Sequence, residues 1–115
     1  MVIVVDLLTK YKDAFKRAEF HAKHQFPHES IGYIHKDGTY RFLRNLSLHA
    51  ETSALAEFNP QDFKDVVVVI HSHPNGYEYP SYADIKQQKL WGVPWAILPL
   101  TKTETKDWVI FPESE

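Results

Sequence analysis

Three short stretches of this chain carry side chains able to do chemistry together: His71-Ser72-His73-Pro74, Ser81-Tyr82-Ala83-Asp84, and Glu29 far upstream. Two imidazoles two residues apart point to the same face of an extended backbone, so both can reach one metal ion. A carboxylate at Asp84, in the first turn of a helix, closes such a site. Two histidines, one carboxylate and a vacant position for water follow the ligand logic of a catalytic zinc centre rather than a closed structural one. Zinc in that setting lowers the pKa of its water toward ~7, and a separate carboxylate must take the proton. Glu29 is the candidate for that base, and Ser81 is placed to donate a hydrogen bond to the oxyanion of a tetrahedral intermediate. Each piece has a plainer reading when taken alone. His-Ser-His near a strand end is also a common polar loop, Asp84 suits a helix dipole, and Ser81 suits an N-cap.

The composition supports histidine chemistry and excludes several alternatives. With no cysteine there is no disulfide framework, no thiolate nucleophile and no cysteine-ligated metal, whereas seven histidines remain. At 115 residues and 43% hydrophobic content the chain has the size of one compact domain, taken as 1–115. A formal net charge of -2, with basic residues scattered, gives no footprint for nucleic acid. The apolar opening Met1 to Val5 stops at Asp6, too short for a signal-peptide core or a membrane span. A soluble cytoplasmic protein with no membrane partner is the expectation.

The elements that must position these groups are readable in part. Val2 to Val5 reads as an edge strand, and Asp6 as the cap of a helix whose apolar residues Leu7, Leu8, Tyr11, Ala14, Phe15, Ala18 and Ala22 keep helical spacing up to Pro27. Ser30 to Ile34, the turn Asp37-Gly38 and Tyr40 to Leu43 read as a β-hairpin. Asn45 to Asn59 has no clean period and reads as loop, with a short helical turn starting at Pro60-Gln61-Asp62. The run Val66 to Ile70 has the pattern of a central strand buried on both faces, and it ends at His71. Ser81 stands as an N-cap for a helix Tyr82 to Leu90 with Ile85 and Leu90 on its inner face, ended by Gly92. Trp95 to Leu100 and Trp108 to Phe111 are two further strands around the polar turn Thr101 to Asp107. This mixture without strict βαβ alternation points to an α+β fold with an antiparallel or mixed sheet.

Glu29 with Gly32, His71-Ser72-His73-Pro74, and Pro80-Ser81-Tyr82-Ala83-Asp84 together resemble the signature of the JAMM (MPN-plus, Mov34/PAD-1-like) zinc metallopeptidases. Within that family the likeness is strongest to the JAMM domain of tailed-phage tail-assembly proteins, through Phe58-Asn59-Pro60 and Gly92-Val93-Pro94-Trp95. The resemblance implies a Mov34-like, cytidine-deaminase-like mixed sheet flanked by helices, one zinc ion on His71, His73 and Asp84, Glu29 as general acid/base and Ser81 as oxyanion donor. It also implies hydrolysis of a peptide or isopeptide bond, with a phage tail protein or a peptidoglycan peptide as substrate, in the host cytoplasm or on the virion. The sequence departs from the family at Ile31, where many relatives have a small residue or cysteine. The 115 residues also hold neither the NlpC-like hydrolase domain of longer phage proteins nor the ubiquitin-gripping insertions of deubiquitinating relatives. A non-catalytic MPN-type assembly module is the competing reading.

The remaining conspicuous residues have plainer expectations. His21 and His24 read as a solvated helix face, His35 and His49 as surface residues, and Trp91, Trp95 and Trp108 as core. Tyr77 and Tyr79, between the ligand segments, suit either a substrate groove or packing on their own domain.

Overall fold

The computed structural model describes residues 3–45 and 63–112. The chain opens with α1 (Ile3–Lys10) and α2 (Lys12–Gln25), followed by β1 (Ile31–His35), β2 (Tyr40–Leu43), β3 (Val66–His73), α3 (Tyr82–Trp91), β4 (Trp95–Pro99) and β5 (Val109–Phe111). The segment expected as an edge strand at the N-terminus is helical from Ile3, which puts Asp6 inside α1 rather than at its cap. The physical reason is packing: Leu7 and Leu8 lie against the core cluster beside Tyr11, and that burial overrides the β-preference of the valines. Backbone bonds from Tyr11 N to Leu7 O (3.0 Å) and from Phe15 N to Tyr11 O (2.9 Å) carry the hydrogen-bond ladder across the break between α1 and α2. The expected Phe58-Asn59-Pro60 stretch, the helical turn at Pro60, His49, and most of the loop from Asn45 onward lie outside the described residues.

The five strands form one mixed sheet in the order β2-β1-β3-β4-β5. β3 is central, antiparallel to β1 and parallel to β4, and the remaining neighbours pair antiparallel. Tyr11, which precedes α2, and Ala14, Phe15 and Ala18 of α2 cover one face of the sheet through Ile34, Val68, Ile70, Ala96 and Ile110. Tyr33, Val69, Trp95, Ile97 and Phe111 face the other way, with Phe63, Trp91 and Val93 packed against them. β3 is therefore buried on both faces, as its unbroken β-branched run requires. The strand does not stop at Ile70, however, but runs on through His73.

Two glycines shape the route to the site. A Cβ on Gly32 would lie 2.5 Å from Tyr40 Oη and 2.6 Å from the Arg41 carbonyl oxygen, so β1 and β2 approach as they do only because position 32 has no side chain. Gly92 takes the left-handed conformation (φ 73°) that ends α3, with its N–H donating to Gln88 O. The inner face of α3 differs from expectation. Ile85 and Leu90 are exposed, at 37% and 76%, and Asp84 is the helix's one buried residue. Asp84, Gln88 and Trp91, spaced i, i+4, i+7, form the side that turns inward, because this helix is docked by its polar N-terminal residue and by Trp91 packing at a tilt against Phe63 (4.6 Å).

Candidate metal centre

The register of the sheet brings the separated residues together. Ile31 pairs with His71, so one step further along the two antiparallel strands Ser30 faces Ser72, and one more step places Glu29 opposite His73. The two-residue period then puts His71, His73 and Glu29 on the Val69 side of the sheet, and Ser72 and Ser30 on the α2 side. From the other neighbour, β4 lays Ile97 beside His71 and Pro99 beside His73, and the Trp95 ring stands edge-on to His71 at 5.6 Å.

Asp84 arrives from α3. The helix starts with a complete capping box: Asp84 N donates to Ser81 Oγ (3.1 Å), and Ser81 N donates to Asp84 Oδ2 (2.8 Å). The cap turns the carboxylate toward the strand, leaving Oδ1 3.3 Å from His71 Nε2 and Oδ2 3.2 Å from His73 Nε2. His71, His73 and Asp84 are all buried, and one ligand atom from each lies within 4.8 Å of the others. Among the described residues this is the sole such group of histidine and acidic side chains.

Hydrogen bonds fix which imidazole nitrogen is available. His73 Nδ1 lies 2.9 Å from the Tyr77 carbonyl oxygen, which can only accept, so Nδ1 carries the proton and Nε2 turns its lone pair inward. His71 Nδ1 faces Glu29 Oε1 at 3.5 Å, which orients that ring the same way. His71 Nε2 is buried with no hydrogen-bond partner among the described residues, although Asp84 Oδ1 is close. An orphaned buried imidazole nitrogen aimed at a second imidazole and a carboxylate is the arrangement a metal ion would satisfy, so these residues fit one.

The charges of the three groups depend on one another. Burial pushes the Asp84 carboxyl upward, but the hydrogen bond with His73, the charge of His71 and the Ser81 N–H outweigh it and hold the pKa at about 2. Burial opposes the charged form of His73, while Asp84 and the Tyr77 carbonyl favour it more strongly, so its pKa is raised. His73 Nε2 and Asp84 Oδ2 lie 3.2 Å apart, close enough to hydrogen-bond when His73 is charged.

All five residues expected at the site are thus brought to one end of β3. Glu29 is buried at 6% exposure and lies outside the group of His71, His73 and Asp84. Ser81 Oγ accepts from Asp84 N, which leaves its own O–H free to donate. Tyr77 and Tyr79 are 54% and 67% exposed, with the Tyr77 ring stacked over His73 at 6.2 Å. Tyr77 is therefore both a carbonyl that orients a ligand and a ring at the mouth of the site. Sequence reasoning missed that carbonyl, the serine between the two histidines, and Asn45, whose Nδ2 donates to Glu29 O (2.9 Å). The period of two announces that Ser72 points away from the histidines, but nothing in the sequence names its partner across the sheet. Of the outlying histidines, His24 is exposed as expected, while His21 is half-buried with Nδ1 2.9 Å from Tyr40 Oη. Burial, and then the nearby His24 charge, lower the His21 pKa. Trp95 is core, and Trp91 and Trp108 are partly buried against it.

No helix among the described residues is long and apolar enough to cross a membrane. No curated protein matches the sequence. Among solved structures, a protein from Salinibacter ruber (strain DSM 13855), known from a solution structure, is 19% identical with a TM-score of 0.52, over 85% of this chain and 76% of that one. At that identity the likeness speaks for the fold alone. The profile of prokaryotic homologues of the JAB domain matches residues 12–111, from the start of α2 to the end of β5 and across every residue of the candidate centre, and the chain therefore belongs to this family of the JAB/MPN superfamily.

Proposed function

We propose that the protein is a zinc-dependent peptidase that hydrolyses a peptide or isopeptide amide. The observation that carries this reading is Glu29: a buried carboxylate beside His71 that stays outside the ligand group, where a proton acceptor is wanted and a structural site has no use for one. His71 Nε2, His73 Nε2 and Asp84 would hold the ion; two imidazoles and one carboxylate suit zinc and leave a position open. When bound, the ion supplies Lewis acidity and acidifies a coordinated water to a pKa of about 7. Glu29 accepts the proton of the attacking water on its carboxylate and passes it to the leaving amine as the C–N bond breaks. The Ser81 O–H donates to the carbonyl oxygen as it becomes an oxyanion. The exposed Tyr77 and Tyr79 rings at the mouth suit an extended peptide passing over His73.

The resemblance to tail-assembly JAMM domains supplies the narrower candidates for substrate, a phage tail protein or a peptidoglycan peptide, and with them a place in the host cytoplasm or on the virion. The test is Glu29→Gln. We expect about one zinc per chain in both forms and a loss of about 100- to 10,000-fold in hydrolysis of a pool of quenched-fluorescent peptides and lysine isopeptides. A zinc-loaded wild type that cleaves none of them, purified muropeptides included, would instead favour the non-catalytic assembly module.

A further inference from the structure

The mechanism above uses the Glu29 carboxylate but leaves open what holds it. Glu29 precedes β1, whose ladder with β3 begins only at the Ile31–His71 pair, so regular sheet pairing does not fix its peptide. Two side chains do. Ser30 N donates to Ser72 Oγ (2.8 Å), and Asn45 Nδ2 donates to Glu29 O (2.9 Å). That N–H and that carbonyl belong to one planar peptide group, so the peptide between Glu29 and Ser30 is gripped at both ends. Ser72 N also donates to Ser30 O (3.2 Å), which ties the next carbonyl to the same residue. Ser72 and Ser30 are buried at 0% and 1% exposure, so no water competes for the bonds between them.

We propose that Ser72 and Asn45 are positioning residues that aim the Glu29 carboxylate at the metal centre. The inference rests on the general-base reading of Glu29. Ser72 sits between the two histidine ligands on the same strand, its side chain on the opposite face. One strand segment therefore holds the metal with its odd-numbered residues and the backbone of the base with the residue between them. The relative placement of metal and base becomes a property of β3 rather than of the loop that carries Glu29. Asn45, just beyond β2, completes the grip from the other neighbour of β1.

The experiment is a cobalt substitution with a mutant cycle. Cobalt(II) is loaded into the wild type, Glu29→Gln, Ser72→Ala, Asn45→Ala and the Ser72→Ala/Glu29→Gln pair, and the visible spectra are compared at one pH. The spectrum responds to what hydrogen-bonds the open coordination position, not to general stability. Ser72→Ala and Asn45→Ala should each move it in the direction of Glu29→Gln, and the double variant should match Glu29→Gln alone. Metal content should stay at about one per chain, and kcat on any cleaved probe peptide should fall about 10- to 100-fold with little change in KM. Wild-type spectra in both folded single variants, beside a changed Glu29→Gln, would overturn the grip while sparing the role of Glu29. Coincident spectra for wild type and Glu29→Gln would overturn both readings. Ser72→Ala removes one atom from a fully buried site, and Asn45→Ala tests the same peptide from the periphery should the first variant fold poorly.

Discussion

Replacing Asp84 with alanine separates its two employments, because the carboxylate is at once an arm of the α3 capping box and a member of the ligand group. In metal-free protein the variant loses the acceptor for Ser81 N and the pairing that holds the Asp84 pKa at about 2, against 3.8 for an unperturbed carboxyl. A depressed carboxyl contributes stability above its unfolded pKa and loses it as pH falls toward the folded value, so at neutral pH the whole contribution is present. Discounted for solvent screening, the cap and the charge together are worth about 1–2 kcal/mol. For a domain of this size that lowers Tm by about 4–8 °C. Zinc then discriminates. At 100 times its Kd the ion stabilises the wild type by about 2.7 kcal/mol, or about 10 °C. Loss of an outer partner of a metal ligand already weakens binding 10- to 100-fold, and loss of a ligand more. At the same zinc concentration the variant should gain under about 2 °C. The assay is scanning calorimetry with and without zinc, beside metal analysis of the purified proteins. An equal zinc-induced rise in both forms would refute the ligand assignment, because the ion would then bind where Asp84 is not.

Two further outcomes follow from the geometry. Gly32→Ala should cost about 1–3 kcal/mol in a urea melt, since the new Cβ meets the Arg41 carbonyl, which cannot move without breaking the β1–β2 ladder; a change within about 0.5 kcal/mol would mean that the hairpin is looser than described. The raised pKa of His73 means that its charged form stabilises the metal-free fold below the unfolded value of 6.5 and that this contribution fades as pH rises through the folded value. Metal uptake near pH 7 should accordingly release a proton, seen by titration calorimetry as a heat that depends on the buffer's ionisation enthalpy, and the dependence should vanish at alkaline pH. A buffer-independent heat at pH 7 would place no proton between His73 and Asp84.

What the sequence made legible here follows from how local the signal is. The five strands, the hairpin turn, the N-cap of α3 and its glycine stop are encoded within a few residues each, and all appear within two residues of the expected places except the end of β3, which runs three residues past Ile70 to His73. The N-terminal segment misled because Val-Val read alone is β-prone, whereas its conformation is set by Leu7, Leu8 and Tyr11 reaching a sheet not yet formed when the segment is read by itself. The inner face of α3 misled for the opposite reason. Ile85 and Leu90 were expected inside on hydrophobicity, but the residue that docks this helix is charged and is drawn in by two imidazoles.

The site repeats the same division at closer range. His71 and His73 share a face by strand periodicity, and Asp84 and Ser81 share a helix start by capping geometry, so each pair is an arithmetic fact of its own element. The meeting of the histidines with Glu29 depends on the register between β1 and β3, and their meeting with Asp84 on how α3 docks, and no local pattern states either. A shift of that register by one residue would turn Glu29 to the α2 face and bring a neighbour of opposite orientation to His71 and His73. The bonds from Ser30 N to Ser72 Oγ and from Asn45 Nδ2 to Glu29 O lock the end of that register nearest the histidines, and Gly32 lets β2 close on β1 behind it. The residues that gather at the candidate centre are thus readable from the sequence, whereas the residues that hold them together are small, polar and distant, and announce themselves only when the strands are side by side.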